Sequence, residues 1–314
     1  MALPGPLLDI EPALSRSAPS PPGRTRDLFV LIRPGQWSKN LAVVPLALAD
    51  SPAWNVRLLG QAALAVVAFT LASSLVYLLN DIFDRDRDRL HPTKRLRPIA
   101  DGRVSIRAAT GFGAVLAVLL AAVLQTDPLA HWWPLAAYLV INIAYSKGLK
   151  NVPLVDVFVV ALGFLLRLVQ GYLVMDHDVS SWLALSVLSL CLLLTLGKRR
   201  HEMAVGGEVH RPALRGYSLT FLDQLLGLTT VFAAVSYVLY IYLDAPVGDS
   251  GPLLTLLSAP FALFGLARNL QVLLVEDGGG EPVRTLFHDR IMVINSALWG
   301  ALIGTALVLA HTGS

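Results

Sequence analysis

Nine stretches of this chain are apolar over much of the length needed to cross a bilayer. They lie near 38–50, 58–82, 105–124, 130–146, 152–174, 181–197, 220–243, 253–275 and 291–311. A helix rises about 1.5 Å per residue, so about 20 apolar residues span a ~30 Å hydrocarbon layer. In that solvent every backbone N–H and C=O needs a partner within the protein, which leaves helices or closed barrels. No segment alternates polar and apolar residues with the period of two that a barrel strand requires. The pattern therefore predicts an all-α integral membrane protein, a bundle of nine transmembrane helices. Composition agrees: 55% of the 314 residues are hydrophobic and 15% charged, against about 25% charge in a soluble domain.

The first stretch is short and carries Pro45, so it is expected to continue back through an amphipathic segment, 28–37. Residues 1–26 hold six of the 19 prolines and read as a disordered cytosolic tail. They lack the basic start and apolar core of a signal peptide. Residues 27–314 then form a single transmembrane domain without a fixed-period repeat. Cys191 is the only cysteine, so an intrachain disulfide is excluded.

Basic residues set the orientation. With the N-terminus in the cytosol, segments 1–40, 83–107, 147–151, 198–218 and 276–290 face inward and carry 22 of the 25 lysines and arginines. Nine spans then place the C-terminus outside. The polar clusters all fall at cytosolic ends.

The most specific cluster runs from Leu79 to Asp101 at the end of the second span. Asn80, Asp84 and Asp88 recur every four residues, and Asp81 joins them, so a helix presents their oxygens on one face. Hard oxygens suit Mg²⁺, which binds through one or two carboxylates plus substrate phosphates. Tyr77 precedes the cluster, and His91, Lys94, Arg95, Arg97 and Arg103 follow it. Carboxylates for a metal beside cations for non-bridging oxygens suit a Mg²⁺–diphosphate unit. A salt-bridged helix end beside a lipid-binding basic loop is the other reading of the same residues.

Three further groups are smaller. Arg33 to Asn40 opens the first span, with Trp37 as an interfacial anchor and Lys39 facing either headgroups or a cavity. Tyr145, Lys147, Lys150 and Asp156 share the rim between spans four and five. Lys198, Arg199 and Glu202 end span six. Arg167 stands alone, about 22 Å into its span by helical rise. There it is costly unless it meets a polar cavity or a structural partner, and both readings are open. His131 and His177 lack metal-ligand spacing, and no nucleotide-binding glycine loop or nucleic-acid motif is present.

These motifs together resemble the UbiA superfamily of intramembrane prenyltransferases. Its first motif, NDxxDxxxD, stands complete at Asn80–Asp88, whereas its second, DxxxD, is replaced by Lys198-Arg199-Arg200-His201-Glu202. The substitution turns an acidic wall basic and implies more anionic substrates. RPxQWxKN (Arg33–Asn40), HPTKRxRPIA (His91–Ala100), Lys150, Arg167, GKRxxE (Gly197–Glu202) and the Gly216–Gln224 stretch resemble the branch of decaprenyl-phosphate phosphoribosyltransferases.

That resemblance implies a nine-helix UbiA-type bundle in a bacterial inner membrane. It implies transfer of phosphoribosyl from phosphoribosyl diphosphate to a polyprenyl phosphate, with Mg²⁺ as cofactor. Asn80, Asp84 and Asp88 would hold the metal, and Asp81, Asp84 and Lys198 would be catalytic. Lys39, Tyr77, Lys94 and Lys198 would meet the donor phosphates; Lys150, Arg167 and Arg199 would steer the acceptor phosphate. Arg95, Tyr145, Glu202 and Tyr217 complete the expected substrate-binding set. A UbiA prenyltransferase acting on an aromatic or quinone acceptor is the alternative, and a lipid-phosphate transporter a more distant one. Homo-oligomerisation is left open.

Overall fold

The structure is a computed structural model in which residues 25–43, 56–91, 93–126, 128–206, 211–276 and 288–312 are described. The expected tail and most of the first span, 44–50, lie outside these residues. All regular structure among the described residues is helical. A short helix α1 (Thr25–Leu31) leads into a 3-10 segment, Pro34–Val43. There follow α2 (Val56–Phe83), the five-residue α3 (Arg85–Arg89), α4 (Ile106–Leu124) and α5 (Trp133–Lys147). The chain continues through α6 (Val155–Val174), α7 (Ser181–Ala204), α8 (Leu219–Leu239), α9 (Gly251–Leu274) and α10 (Arg290–Thr312).

Seven of the described helices are long and apolar enough to cross a membrane, so the chain is an integral membrane protein. The expected span near 130–146 is α5, only 15 residues long, preceded by the 3-10 turn Leu129–Trp132. Helix starts follow local chemistry. The hydroxyls of Ser105, Ser180 and Ser218 accept the backbone N–H groups of Ala108, Leu183 and Phe221, capping α4, α7 and α8. Helix α8 ends in a π-helical turn, Tyr240–Asp244, and Ser180 donates to the Asp244 carboxylate at 2.5 Å.

Packing makes α6 the central helix, touching α2, α5, α7 and the Pro34–Val43 segment. Where water is absent, helices associate by close packing, which small residues permit. Ala62, Ala65, Ala68 and Ala72 form such a stripe on α2, all buried. On α7, a Cβ at Gly197 would lie 2.8 Å from the Leu273 Cδ1 of α9, so any larger residue there displaces that side chain.

Two of the apolar clusters support the end of the bundle that carries the polar motifs. One joins Leu31, Leu78, Ile99, Val104 and Leu116, seating the basic loop between α1, α2 and α4. The other joins Val157, Leu193, Leu196, Leu214, Tyr217 and Leu222, binding the 212–217 turn to α6, α7 and α8. Val118 and Leu119 of α4, Leu253 and Leu256 of α9, and Val308 and Leu309 of α10 are exposed, as lipid-facing residues are.

Candidate active site

Asp84 sits at the joint between α2 and α3. It occupies the N-cap position of α3, but its carboxylate caps no N–H and is left for other partners. Lys150, from the α5–α6 turn, approaches it at 3.2 Å. Its neighbours differ. Asp81 and Asp88 are 3% and 2% exposed and already engaged. Arg97 binds Asp81 at 3.1 Å and Asp88 at 2.6 Å, and Arg33 reaches Asp81 at 2.6 Å. The Arg33 guanidinium also lies 4.8 Å over the Tyr77 ring.

The basic loop holds itself together with its arginines. Arg89 donates to Ala100 O, and Arg103 to Leu96 O, Asp101 and Asp27. Lys94 and Arg95 are exposed, with no ion pair among the described residues. They are the loop cations left for a ligand.

The expected metal-ligand set is thus only partly assembled. Among the described residues, no three acidic, histidine or cysteine side chains converge on one point. An all-protein metal cage does not fit. A Mg²⁺ ion held mainly through substrate phosphates needs only one or two protein oxygens. Asp84 and the Asn80 amide, which has no hydrogen-bond partner among the described residues, fit that chemistry. Asp88 is placed in a buried ion pair.

Where α7 ends and α6 begins, the residues replacing the second acidic motif do not form a basic wall. Arg199, 4% exposed, lies with its Nε 3.0 Å from Asp156, close enough for an ion pair though off the line of a hydrogen bond. It also pairs with Glu202. Arg211 reaches Asp156 at 3.1 Å, Glu202 at 3.9 Å and the Tyr145 hydroxyl at 3.0 Å. Burial alone would favour the neutral form of Arg211, but Tyr145, Glu202 and Asp156 outweigh it and raise its pKa. Tyr217 donates to Asp156 at 2.7 Å. Burial and that bond push its phenol above the ordinary range, so it stays protonated.

Two carboxylates and two guanidiniums therefore compensate one another around Asp156. Arg200 turns away to Asp223 at 2.6 Å. Of the cluster's lysine and arginines, Lys198 alone is exposed without an ion pair among the described residues. Of the expected substrate residues, Tyr145, Arg199, Glu202 and Tyr217 are knotted here.

Arg167 is 6% exposed and satisfied by uncharged groups. It donates to Asn40 Oδ1 at 2.9 Å, Gly163 O at 2.7 Å and the Tyr138 hydroxyl at 3.1 Å. The rings of Tyr138, Phe69 and Phe164 lie 4.6, 5.4 and 5.5 Å from its guanidinium. Hydrogen bonds from a charged donor contribute about 1.5–3 kcal/mol each, and cation–π contacts about 0.5–2 kcal/mol. Together they offset the several kcal/mol of placing an arginine there. The protein's own groups suffice to hold it. Lys39, next to Asn40, lies in electrostatic range of both Arg167 and Lys198. It is exposed and has no carboxylate partner among the described residues.

An Arg167→Lys protein tests this account. A single ammonium cannot reproduce the planar fork that joins Asn40, Gly163 and Tyr138. The expected loss is about 2–3 kcal/mol of stability, by analogy with charged hydrogen bonds left unmade, read by denaturant titration in detergent.

Sequence reasoning placed Asp156 on the rim but gave it no role, and it left Arg211 out. An acid just inside an apolar helix implies a buried cation partner, which was a usable signal. Arg211 sits in an aperiodic turn and carried none.

The chain matches the model of the UbiA prenyltransferase family over residues 41–291. A protein of Mycobacterium tuberculosis described as decaprenyl-phosphate phosphoribosyltransferase is 34% identical over 293 residues, 88% of this chain and 92% of that one. Its namesake from Corynebacterium glutamicum is 30% identical over 289 residues, 89% and 86% of the two chains. Among solved structures, a UbiA homologue from Archaeoglobus fulgidus bound to DMAPP and Mg²⁺ superposes with a TM-score of 0.67 at 17% identity. That match covers 90% of this chain and 99% of the other. The chain belongs to the UbiA prenyltransferase family.

Proposed function

We propose that this enzyme transfers 5-phosphoribosyl from phosphoribosyl diphosphate to a polyprenyl phosphate and releases diphosphate. One observation carries the reading against an aromatic or quinone prenyltransferase. On the rim where a second acidic pair would hold a second metal, Asp156 and Glu202 are consumed by Arg199 and Arg211. That leaves the Asp84 carboxylate on one motif, and Lys39 and Lys198 without an ion pair among the described residues. Such a site favours two phosphate-bearing reactants over one prenyl diphosphate and a neutral ring. The relatives described as decaprenyl-phosphate phosphoribosyltransferases support the same choice.

In the reaction a phosphate oxygen of the lipid attacks the anomeric carbon as the bond to diphosphate breaks. A bound Mg²⁺ supplies charge neutralisation on the leaving group. Asn80 and Asp84 would hold it. Lys94, Arg95 and Lys198 bind donor phosphates and stabilise the charge that accumulates on the departing oxygen. Lys39 and Lys150 hold the reactants in line. The lipid phosphate is already anionic at neutral pH, so no general base is required. The mouth faces the cytosol of a bacterial cell, where the donor is available, and the product serves as a precursor of cell-wall arabinan.

Purified protein given labelled phosphoribosyl diphosphate, Mg²⁺ and polyprenyl phosphates of several lengths is expected to form labelled lipid and free diphosphate. Product arising only from a prenyl diphosphate and an aromatic acid would overturn the reading.

A further inference from the structure

Lys150 lies on a short turn whose two ends are gripped by one segment of the chain. The turn includes the 3-10 residues Leu149–Asn151 between α5 and α6. At its upstream end the Tyr145 hydroxyl accepts a bond from Arg211 at 3.0 Å. At its downstream end the Tyr217 hydroxyl accepts the Leu154 N–H at 2.6 Å and donates to Asp156 at 2.7 Å. Arg211 also reaches Asp156, which is fully buried.

Two details show that this grip constrains the turn. Leu154 has φ +64°, a left-handed conformation that a leucine adopts only where its surroundings enforce it. Gly216 lies so close to Pro153 that a Cβ there would fall 2.2 Å from the proline Cγ. The 211–217 segment is thus docked closely on the turn. Between the two gripped ends, Lys150 extends to Asp84.

We infer that Asp156, Tyr217 and Arg211 are positioning residues that set the Lys150 ammonium against Asp84 without themselves touching substrate. The inference rests on the phosphoribosyltransferase reading for its assay, and assigns Tyr217 a role behind the site rather than within it.

A double-mutant cycle tests it. Tyr217→Phe keeps every charge and removes only the hydroxyl that ties Leu154 to Asp156. If the hydroxyl acts through Lys150, Tyr217→Phe and Lys150→Ala each raise KM for phosphoribosyl diphosphate about 10-fold, and the double variant resembles Lys150→Ala alone. Independent roles would instead multiply to about 100-fold. Multiplying effects, or a Tyr217→Phe protein with unchanged KM and only a lower unfolding midpoint, overturn the inference. Should Tyr217→Phe fail to fold, Arg211→Lys serves in the same cycle, since it keeps the charge but cannot span Tyr145 and Asp156 together. Lys150→Ala with an untouched KM likewise overturns the inference, whereas the functional reading fails separately, if wild-type protein does not turn over phosphoribosyl diphosphate.

Discussion

An Asp84→Asn enzyme is expected to release diphosphate at least about 100-fold more slowly than wild type, the usual effect of removing one preorganised charge from a transition state. Its unfolding midpoint should stay where it was. The side chain of Asp84 is 29% exposed and its one partner among the described residues is Lys150 at 3.2 Å, a half-open pair of the kind that contributes about 0–1 kcal/mol. Asp88→Asn makes the informative contrast. Asp88 is buried against Arg97, so its loss should lower stability and activity together. Diphosphate release and thermal unfolding, measured side by side on both proteins, separate a ligand-facing carboxylate from a structural one. An Asp84→Asn enzyme with near-normal turnover would remove Asp84 from the chemistry.

The largest stability effect belongs to Asp156→Ala. Removing one partner of a buried ion pair typically costs about 3–5 kcal/mol, because the remaining charge is stranded. Here two guanidiniums, Arg199 and Arg211, lose a shared carboxylate that is wholly buried. Tyr217→Phe removes one hydrogen bond and leaves the charges paired, so it should cost only about 1 kcal/mol. Unfolding in mixed micelles by denaturant titration measures both. A loss below about 1 kcal/mol for Asp156→Ala would mean that water or lipid phosphate reaches the two arginines, contrary to the burial of the knot.

What the sequence made legible was local. Helical periodicity brought Asn80, Asp81 and Asp84 to the end of α2, with Asp88 just beyond in α3, and hydropathy marked the spans. It gave Arg167 its depth. Charge compensation was hidden, because it depends on contacts between distant segments. Arg97 reaches back 16 residues to Asp81, and Arg211 reaches 55 residues to Asp156. Arg167 meets Asn40 across 127 residues. So the expectation of a basic wall at Lys198–Glu202 counted charges correctly and missed that Arg199 is cancelled within the knot and Arg200 by Asp223. The same holds for the expected metal set: Asp88 matches the motif, yet Arg97 claims it.

The contact between Lys150 and Asp84 carries a consequence for how reactants arrive. An incoming phosphate competes with Asp84 for the Lys150 ammonium, so the resting contact weakens as a phosphate-bearing donor enters. A bare polyanion would draw Lys150 off and strand Asp84 without a counter-charge. A donor that travels with its own divalent cation gives Asp84 a replacement in the same event. Cation and donor affinities are then reciprocally linked, and each should be weak when offered to the resting protein alone.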